Sequence, residues 1–203
     1  MSSGAYEKLE GARARKFIER LNRAWIGGPF AAETTVVHAR TLPFAEDWML
    51  TEAGDATIMP EKRAVALDNG RECVPVEYNA DFIPAFAAAN AVCLTRDTAA
   101  DYLRFWLEYM RAGPDRFLLV ESLDDLPWRE EPTPQARKSL AKSVTPLTLV
   151  DAGNGLFVFR AVLAFRDALI DATFSVTEKG GVEILKRTVI AEGLTLSDEL
   201  TGF

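Results

Sequence analysis

The chain has 203 residues, 48% of them hydrophobic and 26% charged, and 23 lysines and arginines against 30 aspartates and glutamates leave a net charge of −7. This is an ordinary balance for a soluble globular protein and excludes a disordered or membrane-embedded one. A single histidine, His38, excludes three-His zinc sites, two-His-one-carboxylate iron sites and HExxH metalloproteases within one chain, so no metal and no cofactor is expected.

In chain order, Tyr6, Leu9, Phe17, Ile18, Leu21 and Trp25 recur at helical spacing with arginines and lysines between them, and Gly27-Gly28-Pro29 stops the pattern. A basic amphipathic helix over about 5–26 follows. Residues 1–28 hold six basic and three acidic side chains, whereas 44–132 hold 8 basic and 18 acidic ones. The acidic middle therefore carries the whole excess. The basic face is free to dock on that middle, in its own chain or in a second copy, or simply to face solvent.

Residues 34–79 are punctuated by Pro43, Gly54, Pro60, Asn69-Gly70 and Pro75, which leaves short strands at 34–39, 47–51, 63–67 and 74–78. Asp68-Asn69-Gly70 is the best turn signal, because Asn and Gly tolerate positive φ. The apolar, alanine-rich run 82–94 reads as a buried helix. Thr95 or Asp97 caps a further helix through Arg111, with Leu103, Trp106, Leu107 and Met110 along one stripe. A strand at 117–121 and an acidic connection at 124–134 come next. Thr133-Pro134 then opens a short basic helix to about Ser143.

The last third alternates with period two. Phe157, Phe159, Ala161, Leu163 and Phe165 form one series, and Ala168, Ile170, Ala172, Phe174 and Val176 form another. With flanking strands these make an antiparallel meander of four strands over about 145–191. The expected fold is a single α+β domain over 1–203, with helices on one face of a curved, mainly antiparallel sheet.

Motifs for named chemistry are missing. The chain has no GxxxxGK[ST] and no GxSxG, and Gly153-Asn154-Gly155 lacks the third glycine of a dinucleotide fingerprint. Its longest apolar run spans 82–94, short of the roughly 20 residues of a membrane helix, and its first ten residues lack the apolar stretch of a leader. A cytoplasmic location is expected, with Cys73 and Cys93 as reduced core thiols. Neither a membrane nor duplex nucleic acid is an expected partner, because an acidic body repels phosphate backbones.

Several constellations remain. Continued strand alternation at 74–82 would bring Glu77 and Asp81 together as an acid/base pair beside Tyr78; the alternative is an Asn/Asp turn before the next element. His38 is a possible base with Glu46 or Asp47, or an exposed strand residue. Tyr102, Phe105, Trp106 and Tyr109, with the meander's Phe159 and Phe174, would either line an apolar ligand pocket or fill a core. Trp128, in the acidic stretch, is a recognition residue or a pin for its loop. The preferred reading is a non-catalytic interaction or assembly module whose separated charges bind itself, as a homo-oligomer, or another protein. A module binding an apolar small molecule stands second, and a cofactor-independent acid/base enzyme third.

Overall fold

The computed structural model describes residues 5–112 and 115–197. The fold is α+β, with two antiparallel five-stranded sheets and a four-strand meander at its end. The short strands of 34–79 pair with one another and with a strand at 7–9, so they form a sheet separate from the one that holds the meander. The chain divides into two compact units, Met1–Glu77 and Tyr78–Phe203.

The first unit runs β1 (Glu7–Leu9), α1 (Gly11–Ala24), β2 (Val36–Thr41), β3 (Met49–Asp55), β4 (Lys62–Asp68) and β5 (Cys73–Pro75), with the strands side by side in chain order. The first helix starts later than its apolar spacing predicts. Glu7, Lys8 and Leu9 pair with Ala39, His38 and Val37, so Leu9 enters the core from a strand. Gly11, at φ 55°, makes the turn from that strand into the helix, a conformation that side chains with a Cβ disfavour. The helix lays Phe17, Ile18 and Leu21 over Val37, Ala39, Ala53, Ala64 and Ala66. Small residues on the strands let large ones on the helix approach, and each fully buried Phe or Leu contributes about 1.5–3 kcal/mol. From the last turn of the helix, the Asn22 amide donates to the Phe30 carbonyl at 2.9 Å while its oxygen accepts from the Phe30 N–H at 2.8 Å.

Two turns of this unit are fixed by side chains. Asp55, 2% exposed, accepts from the hydroxyls of Thr34 and Thr57 and from the Thr57 N–H, and these bonds hold its carboxyl below the usual carboxylate range. Between β4 and β5, Asn69 accepts from the N–H groups of Arg71 and Glu72, and Gly70 takes φ 84°. The turn expected at Asp68-Asn69-Gly70 is thus formed.

The second unit begins with α2 (Phe82–Ala89) and α3 (Ala99–Tyr109). The second helix stops at Ala89, short of the end of its apolar run, where Ala91 adopts φ 49°. Thr95 and Thr98 exchange bonds between their hydroxyls and N–H groups ahead of α3. There follow β6 (Arg111–Ala112), β7 (Asp115–Arg116), β8 (Leu118–Leu119) and a 3₁₀ turn at Leu123–Asp125. Next comes α4 (Pro134–Ala141), whose Thr133 cap accepts from the Ala136 N–H. The meander is β9 (Thr148–Gly153), β10 (Leu156–Phe165), β11 (Ala168–Thr177) and β12 (Val182–Ala191).

In this meander β10 and β11 pair over ten residues, β8 and β9 share the far side of β10, and β12 is the edge strand on the other side, paired among the described residues only with β11. Leu185 and Ile190 are extra residues of β12, opposite shifts in register with β11. Tyr102 and Trp106 tie α3 to the meander region. The Tyr102 hydroxyl donates to the Gly180 carbonyl at 2.6 Å, and the Trp106 ring meets Phe174 edge-on at 6.2 Å. A smaller cluster at the other end of β10 packs Val120, Leu123 and Leu126 on Val162, Ala164 and Leu169.

Among the described residues no helix is long and apolar enough to cross a membrane. Both cysteines are free thiols, but only Cys73 is partly buried. Cys93 is exposed, against the expectation of a core thiol, because α2 ends before reaching it.

Candidate functional site

The residues proposed for proton transfer lie in different local settings. β5 ends at Pro75, so the alternation that would align Glu77 and Asp81 is not formed. Asn79 instead accepts from the N–H groups of Asp81 and Phe82, and Asp81 stands at the boundary of α2. This is the turn arrangement. Tyr78 packs at 6.2 Å from the Tyr109 ring and lies under the Arg111 guanidinium at 4.9 Å.

His38 is exposed on β2, opposite Glu52 on β3 and Lys8 on β1. Glu46 and Asp47, its suggested partners, fall in the loop beyond the paired residues. The Tyr6 hydroxyl donates to Glu52, and Arg40 lies 5.3 Å from the centre of the Tyr6 ring.

The five residues suggested for a pocket, Tyr102, Trp106, Tyr109, Phe159 and Phe174, are all buried. They serve as packing partners in the second unit. The Trp106 indole donates to the Ala80 carbonyl at 3.1 Å, and the Tyr109 ring packs tilted against Phe105 with centroids 4.9 Å apart. Burial pushes the Tyr102 phenol up, so it donates throughout the neutral range. Trp128 is a pin for its loop: its indole donates to the Leu123 carbonyl and its backbone bridges to Leu196.

A different surface collects basic side chains. Arg13, Lys16, Arg20 and Arg23, spaced three, four and three residues apart, lie along one stripe of α1. The end of that stripe and the β4–β5 hairpin enclose an open cleft of about 380 Å³, lined by Arg20, Arg23, Arg71, Glu72 and Cys73.

Arg20 is the anchor of this cleft. Its Nε and Nη2 each donate at 2.8 Å to one oxygen of Asp68, a two-bond pair whose side chains are 17% and 10% exposed. Those bonds raise the Arg20 pKa further against the opposing effect of burial. Burial, reinforced by the Asp68 charge, pushes the Cys73 thiol up to about 12, which keeps it protonated and removes it as a nucleophile.

Arg23 and Arg71 differ from Arg20. No ion pair among the described residues involves either of them, nor Lys16 on the same stripe. The cleft thus offers two uncommitted guanidinium forks against one carboxylate, Glu72. Guanidinium forks bind carboxylates and phosphates through paired hydrogen bonds.

The basic stripe was visible in the sequence as charge between apolar helix positions. Arg71 was not, because a hairpin almost fifty residues later brings it to the helix.

An acidic counterpart lies in the second unit. The Ser122 hydroxyl accepts from the Asp124 N–H, and Asp125 accepts from the N–H groups of Glu121 and Ser122, which caps the 3₁₀ turn. Arg137 on α4 holds Asp124 and Glu131. The result is a fixed loop with Asp124, Asp125, Glu130 and Glu131 exposed. Comparison with family models, with curated proteins and with solved structures gives no match for this chain.

Proposed function

We propose that this protein is a non-catalytic assembly module of the cytoplasm, in which the basic cleft of one copy receives the acidic loop 122–131 of another. The observation that carries this reading is the pair Arg23 and Arg71, exposed together on a concave surface and in no ion pair among the described residues. Complementary charge favours a second copy as occupant, since each chain holds both a basic stripe and a loop with four exposed carboxylates. In a two-fold dimer the contact is made twice. The loop's capping bonds lower the ordering cost of binding. Two free thiols are in keeping with a reducing compartment.

Sedimentation velocity at low and high salt tests the proposal. Contacts between exposed charges are screened within about 10 Å at 0.1 M salt and about 3 Å at 1 M, so the oligomer present at low ionic strength is expected to dissociate as salt rises. Arg71→Glu alone and Glu130→Lys/Glu131→Lys alone are each expected to give monomer, and mixing the two variants to restore a heterodimer. A monomer at every salt concentration, or an oligomer indifferent to salt and to both variants, overturns the reading.

A further inference from the structure

The second unit contains three neighbouring arginines, and among the described residues only two of them have partners. Arg104, on α3, donates to Glu121 at 2.8 and 3.3 Å and lies 3.5 Å from Asp101. Arg111 covers the Tyr78 ring and donates to the carbonyls of Glu108 and Met110. Burial and the like charge of Arg116, its register partner across the β6–β7 pair, push the Arg111 pKa down.

Arg116 has neither arrangement. Its Nε is buried without a hydrogen-bond partner, and no ion pair among the described residues includes it. A half-buried guanidinium left in this state is costly, since the desolvation of a charged group is recovered only by pairing it.

The same arginine lines a cavity of about 340 Å³, together with Arg104, Glu108, Phe117, Leu118 and Leu119. Three of these are apolar and contiguous. Phe117 is held in place by stacking on Phe165, with centroids 4.7 Å apart. The volume lies at the lower end of the range for small-molecule sites.

From this geometry we infer that the cavity is a binding site for a small monocarboxylate with an apolar body, its carboxylate on Arg116 and its body over Phe117, Leu118 and Leu119. Because Arg104 is committed to Glu121, one cation is available. Glu108 at the same cavity repels a second negative charge, which favours a monoanion over a phosphate ester. At about 30 Å³ per group, the volume holds roughly ten non-hydrogen atoms, the size of a medium-chain fatty acid or an arylalkanoic acid.

The probes are octanoate and 3-phenylpropionate, titrated into the full chain and followed by calorimetry, with 1-octanol and inorganic phosphate as controls. Saturable binding of both acids is expected, with neither control binding comparably. Arg116→Gln is expected to weaken octanoate about tenfold or more, Arg116→Lys to weaken it less, and Glu108→Gln to tighten it. Circular dichroism checks that each variant folds. Should Arg116→Gln fail to fold, the comparison of octanoate with 1-octanol on the unaltered protein decides by itself. Absence of saturable acid binding, equal binding of 1-octanol, or full affinity in a folded Arg116→Gln variant overturns the inference.

Discussion

Tyr102 and Gly180 occupy one tightly shared space. A Cβ built on Gly180 would stand 2.7 Å from both the Ala87 Cβ and the Tyr102 hydroxyl, and the glycine takes φ 84°. Gly180→Ala therefore combines a left-handed backbone with overpacking, and a loss of roughly 3 kcal/mol in urea-induced unfolding is expected. Tyr102→Phe removes only the donor to the Gly180 carbonyl and leaves that acceptor buried, for which about 1–2 kcal/mol is the expected loss. Asp68→Asn in the first unit leaves the partly buried Arg20 guanidinium short of its counter-charge, and a loss of about 2 kcal/mol is expected in the same measurement. Equal stability of the Asp68→Asn variant would make this pair a surface contact in energetic terms.

Among the elements, the meander was the most legible in the sequence, because period two persists through ten paired residues on β10 and β11. The third helix was equally legible from its apolar stripe. Local backbone changes explain what was misread. Tyr6 and Leu9 have helical spacing, but Gly11 turns the chain and leaves them on or beside a strand; Pro75 ends the alternation before Glu77. The cleft was only half legible, since periodicity places residues on one element and says nothing of a hairpin that folds back on it.

Ties between elements also set the response to acid. Arg104 holds the Glu121 carboxyl below its usual range, aided by the Leu147 N–H, and Arg160 does the same to Asp171. Both folded-state values lie under those of the unfolded chain. Their stabilisation is therefore complete above the unfolded values near pH 4 and is lost as pH falls through the lower folded ones. Melting temperature is expected to be level above about pH 5 and to fall below about pH 4. Glu121→Gln should show a shallower fall, and an unchanged acid limb in that variant would remove Glu121 from the account.

For the whole molecule, the two units divide the chain consecutively at Glu77, each with its own sheet and each with apolar residues gathered on its sheet. Charge is divided along the same chain, with the basic stripe in the first unit and the exposed acidic loop in the second. The proposed oligomer rests on these two charged surfaces, which is why ionic strength is the variable that tests it.

The long edge strand of the second sheet has another consequence. β12 offers ten residues of backbone on its outer side, with Leu185 52% and Val189 50% exposed, a template that another chain's strand could extend. Extra residues at Leu185 and Ile190 bend it, and Lys186 and Arg187 set two like charges between them. In Lys186→Val/Arg187→Val, unfolding free energy is expected to change little while turbidity on warming rises. On that outcome these two cations govern how concentrated the protein can become rather than how tightly it folds.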